Sequence, residues 1–205
     1  MNRVHPIEFI ESILAADRRI KEVQLSVYRY HPQSLEDDRN PTRRLPAVKL
    51  RETYQRMVEE LKKGEDIAFH SMVRMDDDIT ERHFGLLDFQ AATTELAVVQ
   101  HASELLIQQY RPHKAALVDS GQSYHLYMGT LFSQTEWVAF MGRVLLLNLR
   151  NQPPTIDPRW IGHRLMAGYG ALRWSANVKT SLPKVVRQWG DLEASPSKVR
   201  PQTTA

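Results

Sequence analysis

Apolar runs of strand length alternate with amphipathic stretches of helix length along almost the whole chain. That alternation limits the fold more tightly than composition does. Pro6 to Arg19 sets Ile7, Ile10, Ile13 and Leu14 on one stripe, the pattern of a helix. Val23 to Tyr28 alternates apolar and polar residues, the pattern of a half-buried strand. Leu50, Tyr54, Met57, Val58 and Leu61 mark a second helix, stopped at Gly64 after Lys62 and Lys63. Ile67 to Arg74 and His83 to Phe89 read as two strands of a hairpin about an Asp76–Asp78 turn. Thr94 to Tyr110 is a long helix, and Ala115–Val118 and Tyr124–Met128 are strands on either side of Gly121. Ser133-Gln134-Thr135-Glu136 has the form of a capping box and opens a helix to Leu149, broken by Pro153-Pro154. A short helix from Pro158 and a last strand over Ala171–Trp174 complete the order. Such an order describes an α+β fold, with helices packed on a mainly antiparallel sheet.

With 205 residues, 42% of them hydrophobic and 25% charged, the chain has the length and composition of one soluble domain. The expected organisation is a single domain over 1–190, with an N-terminal αβ layer to about residue 66 and a core from 67. Residues 191–205, polar and proline-bearing, are expected to form a disordered tail. No cysteine is present, which removes disulfides, thiolate metal sites and cysteine nucleophiles together. No stretch approaches the length of a membrane span and the start lacks a signal-peptide pattern, so a cytoplasmic location is expected. The loop from His31 to Pro46 is long for a plain connection. The net charge of +3 is small, but basic residues gather at Arg39–Arg51. Arg43, Arg44 and Lys49 are therefore candidates for gripping a nucleic-acid strand; a merely solvated face accounts for them equally well.

Four further features carry chemistry. Asp88 ends an apolar run, and Asp157 follows the Pro-Pro break. Carboxylates at such positions suit divalent-ion ligands held on fixed backbone, although each also suits a helix cap. His125 follows the Gly121 turn within an apolar run, and Ser123 precedes it by two residues, on the same face of an extended chain. Arg173 and Lys179 offer a guanidinium fork and a point charge for phosphate.

Taken in order, Asp88-Phe89-Gln90, Ser123-Tyr124-His125, Asp157 and Arg173-Trp174-Ser175-Ala176-Asn177-Val178-Lys179-Thr180 resemble the motifs of the archaeo-eukaryotic primase superfamily, the primase-polymerases. The likeness runs from about Val73 to Thr180. It implies an RRM-like sheet, Mg2+ or Mn2+ held by Asp88 and Asp157, and catalysis by those acids with His125. Ser123, His125, Arg173 and Lys179 would bind the nucleotide. The implied partners are a single-stranded template, nucleoside triphosphates and a helicase or replication protein on another chain, without a membrane. Two departures stand out. Gln90 occupies the position of the motif's second acid, and Trp174 that of a glycine. Gln90 can ligate a metal through its amide oxygen but brings no charge. The expected activity is therefore template-directed nucleotidyl transfer, with a degenerate, non-catalytic nucleotide- or nucleic-acid-binding subunit as the alternative. An unrelated α+β interaction protein is a third reading.

Overall fold

The computed structural model describes residues 4–31, 33–35, 39, 43–77, 79–90, 95–178 and 181–190. Helix α1 (Pro6–Ala16) starts at a proline and is capped by His5, whose ring accepts from the Ile7 N–H. Strand β1 (Ile20–Arg29) is followed by β2 (Arg43–Pro46), α2 (Leu50–Glu60), β3 (Glu65–His70), β4 (Met72–Met75) and β5 (Glu81–Asp88). Then come α3 (Leu96–Tyr110), β6 (Lys114–Asp119), β7 (Tyr124–Phe132), α4 (Gln134–Leu145), α5 (Pro158–Ala167), β8 (Ala171–Arg173) and β9 (Lys184–Gly190). The capping box at Ser133 is present, with Ser133 and Glu136 each satisfying the other's backbone N–H.

Among the described residues the nine strands form one sheet, in the order β8-β3-β1-β4-β5-β7-β6-β9, with β2 on β1. Every named strand pairing is antiparallel. The N-terminal strands thus hydrogen-bond into the same sheet as the core strands. The chain is a mixed α+β fold, as its sequence pattern predicts.

One expected strand, Ile67–Arg74, is two. Ser71 interrupts it, and there the sheet forks: β3 takes β8 as neighbour, while β4 takes β5. Ser71 holds the fork together. Its N–H donates to Gly170 O at 2.8 Å, its carbonyl accepts from Phe84 N–H at 2.8 Å, and its hydroxyl accepts from Gly170 N–H at 2.8 Å. A periodicity of two cannot reveal such a branch, because the side chains alternate on both sides of it.

Three other expectations are corrected. Part of the His31–Pro46 loop is strand β2. Helix α4 stops at Leu145 instead of Leu149, because Leu146, Leu147 and Asn148 turn onto carbonyls three residues back. Ala171–Trp174 does not hold the last strand: β9 follows it and pairs with β6. Its residues are half-exposed and polar-rich, an edge strand with little apolar signal. The expected tail over 191–205 lies outside the described residues.

One large hydrophobic cluster joins the helices to the sheet, and a second, small one gathers Tyr28, Ala68, Tyr169 and Ala171. Trp174 is fully buried, stacks flat on Phe69 at 4.4 Å and donates its indole N–H to Tyr127 Oη at 3.1 Å. On α4, Trp137 stacks on His83 at 5.0 Å. No helix among the described residues is long and apolar enough to cross a membrane.

Candidate functional site

Asp88 and His125 are direct cross-strand partners in the β5–β7 ladder. Their side chains therefore project from the same face of the sheet and meet, with His125 Nε2 3.5 Å from Asp88 Oδ1. Asp157 reaches them along the backbone. Its N–H donates to Asp88 O at 3.3 Å, Gln90 N–H donates to Thr155 O at 3.0 Å, and Phe89 bridges Ile156. The segment carrying Asp157 is fixed by Asn148, whose amide donates to Ile156 O at 3.1 Å and accepts from Ile156 N–H at 2.8 Å. The early end of α4 is what frees Asn148 for this. Asp157 Oδ1 also caps α5, accepting from Arg159 N–H at 2.8 Å and Trp160 N–H at 3.0 Å. One carboxylate thus serves cap and cleft together, so the two readings of Asp157 are compatible.

Asp88, Gln90, Ser123, His125, Asp157 and Arg173 all line one cleft of about 350 Å³. Burial pushes the Asp88 carboxyl up to about 8, helped by the negative charge of Asp157 and opposed by Arg39, Arg173 and Arg164. A quarter of its side chain is nonetheless open to the cleft. His125 is pulled down to about 3, first by burial and then by Arg173 and Arg39, so its ring is neutral near pH 7. Only 5% of His125 is exposed, and its Nδ1 has no hydrogen-bond partner. A buried nitrogen of this kind is costly unless a ligand group meets it.

These donors suit a divalent ion in one respect and fall short in another. Two acids that repel one another in a recessed cleft would be relieved by a cation, and two carboxylates with substrate phosphates and water suffice for one Mg2+ or Mn2+. A second ion needs more charge. Gln90 supplies none, and among the described residues no three His, Cys, Asp or Glu side chains come together as a ligand set. The other acids do not make up the deficit: Asp66 also lines the cleft, but its carboxylate is taken up by Ser175 Oγ and Asn177 N–H. Asp119 accepts from Gly121 N–H at 2.7 Å and pairs with Lys184 at 3.0 Å, and Asp77 caps its own turn through the Ile79 and Thr80 N–H groups. Neither lines the cleft, and Asp78 lies outside the described residues.

Ser123 and Arg173 reach the cleft but spend hydrogen bonds on backbone. The Ser123 hydroxyl donates to Phe89 O. Arg173 is 8% exposed and donates to Ser120 O, Ser175 O and, at 3.4 Å, Ser181 O. It staples the turn before His125 to the segment after β8. The turn is tight: Gly121 has φ +93°, and a Cβ there would collide with Ser181 Oγ. Replacing Arg173 by Gln should speed amide exchange at Gly121–Ser123 in the free protein about tenfold or more, since it leaves buried carbonyls without partners. Exchange unchanged from wild type would make Arg173 a phosphate fork and nothing else. Lys179 lies outside the described residues.

The basic candidates lie away from the cleft. Arg44 pairs with Glu81 at 2.7 Å and Lys49 with Glu52 at 2.8 Å, while Arg43 is exposed on β2; none of the three lines the cleft. The structure adds cleft residues that sequence did not single out. Asp66 is 3% exposed and accepts from Ser175 Oγ at 2.6 Å and Asn177 N–H at 3.1 Å. Tyr28 carries the Arg39 guanidinium 4.3 Å above its ring. Asp66 follows a helix stop as any solvated acid would, so its burial had no local signal. For Tyr28, the only hint was its place at the end of a strand.

No curated protein and no solved structure matches the chain. The profile of the family described as AEP-like, archaeo-eukaryotic primase 1D-like, matches residues 49–186. That span is well over half of the chain and takes in Asp88, Gln90, Ser123, His125, Asp157 and Arg173. With the match extending over the motifs and the sheet that presents them, the chain belongs to the archaeo-eukaryotic primase-like family.

Proposed function

We propose that this chain is a nucleotide-binding primase-fold subunit that holds a nucleoside triphosphate with a single divalent cation and does not extend strands. The observation that carries this reading is the charge count at the cleft floor: Asp88 and Asp157 face the cleft, and the motif's remaining acid is Gln90. An RRM-like core is part of the proposal, supported by the chain order β5-α3-β6-β7-α4 and the spatial order β5-β7-β6.

Asp88 and Asp157, with the Gln90 amide as a neutral neighbour, would hold Mg2+ or Mn2+. The ion, when bound, supplies charge neutralisation for the triphosphate oxygens. The chain's own residues do the rest. Neutral His125 offers its unpartnered Nδ1 as one polar contact to the ligand. Arg173 contributes a fixed positive potential from its stapled position and keeps the Ser120–Ser123 turn in place. Strand extension by a two-ion route would need the charge of a further acid in the motif, and Gln90 supplies none.

Two measurements on one preparation test the reading. Calorimetric titration with ATP should show binding that strengthens about tenfold or more when Mn2+ is added, and Asp88→Ala should remove the metal-dependent part. A primed single-stranded template with all nucleotides should show no extension with either Mg2+ or Mn2+. Extension that disappears in Asp88→Ala would overturn the binding-subunit reading in favour of a working primase-polymerase. Absence of any ATP binding would overturn both.

A further inference from the structure

The cleft has a mouth as well as a floor, and its chemistry differs. The last residue of β1, Arg29, and the two that follow it, Tyr30 and His31, line the mouth, and the first turn of α5 contributes Arg159. Tyr30 is 57% exposed although it lines the cleft, and among the described residues its ring has no aromatic or cationic partner. Tyr28, two residues back, also lines the cleft, but it is buried and its ring is covered by Arg39. An inner aromatic ring topped by a guanidinium is therefore followed by an outer ring left open. Arg29 is half-exposed beside it and makes a 3.4 Å ion pair to Glu65, and Arg159 spends one donor on Ser34 O. Ion pairs as exposed as that of Arg29 are weak and exchange readily for phosphate.

We propose that this mouth is the single-strand binding surface of the protein: Tyr30 stacks a nucleobase while Arg29 and Arg159 take the flanking phosphates. An open aromatic face beside cations is what sequence-tolerant single-strand binding requires, because every base has a π-face and every link a charge. The proposal moves the strand away from Arg43, Arg44 and Lys49, two of which are paired with acids and none of which borders the cleft. It deepens the nucleotide-binding reading and rests on it only in taking the cleft as the place where nucleotides gather. A strand passing the mouth would lay its bases next to the triphosphate site at the floor.

Fluorescence anisotropy with a labelled oligothymidylate of about 12 nucleotides tests this on the full chain, at low and moderate salt. Tyr30→Ala should weaken binding about tenfold or more, and Tyr30→Trp should restore it, since either aromatic ring can stack. Arg159→Ala should lower the slope of log affinity against log salt by about one unit, the loss of one phosphate contact. Circular dichroism checks that each variant is folded, which the exposure of Tyr30 favours. Tyr30→Ala binding within twofold of wild type would overturn the proposal. So would a loss confined to the combined Arg43→Glu, Arg44→Glu, Lys49→Glu variant, which would return the strand to the β2 side. Wild type that binds ATP with Mn2+ but no oligothymidylate also overturns it, and leaves the nucleotide reading standing. Tyr30-dependent strand binding without ATP binding would have the opposite consequence.

Discussion

Gln90→Asp should bind Mn2+ at least tenfold more tightly than wild type, and more tightly again with ATP present. The backbone around residue 90 is fixed, its N–H donating to Thr155 O at 3.0 Å, so the new carboxylate would enter the cleft beside Asp88 and Asp157. At about 4 Å and an effective dielectric near 20, one added charge attracts a unit positive charge by about 4 kcal/mol, and a divalent ion by more. Crowding works against this. An acid at residue 90 raises the cost of ionising Asp88, whose carboxyl already sits near 8 through burial and Asp157. Calorimetry should therefore be run above pH 8, where that cost has already been met by deprotonation. The same variant belongs in the extension assay. Gain of strand extension would identify residue 90 as the block on catalysis, whereas tighter metal binding without extension would place a further block elsewhere in the cleft. Mn2+ affinity equal to wild type would mean that residue 90 does not face the ion, and the charge-count argument would fail with it.

What was legible in the sequence was local. The Ser133 capping box, the proline start of α5 with Asp157 as its cap, and the Gly121 turn before His125 each declare themselves within a few residues. Their order along the chain carried the family resemblance. Pairing across the sheet was harder to see. Asp88 and His125 are 37 positions apart, and only the β5–β7 register makes them neighbours. The fork at Ser71 depends on hydrogen bonds to Gly170 and Phe84, far away in sequence. Arg173 shows the limit most plainly. Residue type and motif position both suggested a phosphate ligand, yet its guanidinium faces three carbonyls supplied by two separate segments. Sequence reveals that a side chain can donate; tertiary structure decides what it donates to. Asn148 likewise reads as a helix residue until α4 ends early and turns it toward Ile156.

Asp88→Asn should make the free protein more stable than wild type at alkaline pH and abolish its metal-linked stabilisation. The sign follows from linkage. The folded-state carboxyl is raised from 3.8 to about 8, so between those values the folded protein holds a proton that the unfolded chain has lost. Wild-type stability from this group is fully present below pH 3.8 and is lost as pH rises through about 8. Asparagine has the same shape and no charge to bury, so the variant lacks that decline. Each pKa unit corresponds to about 1.4 kcal/mol, but the quarter-open side chain and local relaxation reduce the sum to roughly 2–3 kcal/mol. For a chain of this size that is a Tm difference of about 5–10 °C at pH 9, shrinking toward zero at pH 4. His125 acts on the other limb. Its pKa is lowered from 6.5 to about 3, so its contribution is present above 6.5 and lost as pH falls toward 3, in variant and wild type alike. The two curves should therefore share their acid limb and separate only on the alkaline side. Adding ATP and Mn2+ at pH 9 should raise the Tm of wild type and leave the variant where it was, because the amide cannot replace the carboxylate as an ion ligand. Thermal melts across pH, with and without ATP and Mn2+, measure all of this. If Asp88→Asn tracked wild type at every pH, Asp88 would be an ordinary solvated acid, and the cleft floor would lose the strained charge that argues for a cation there.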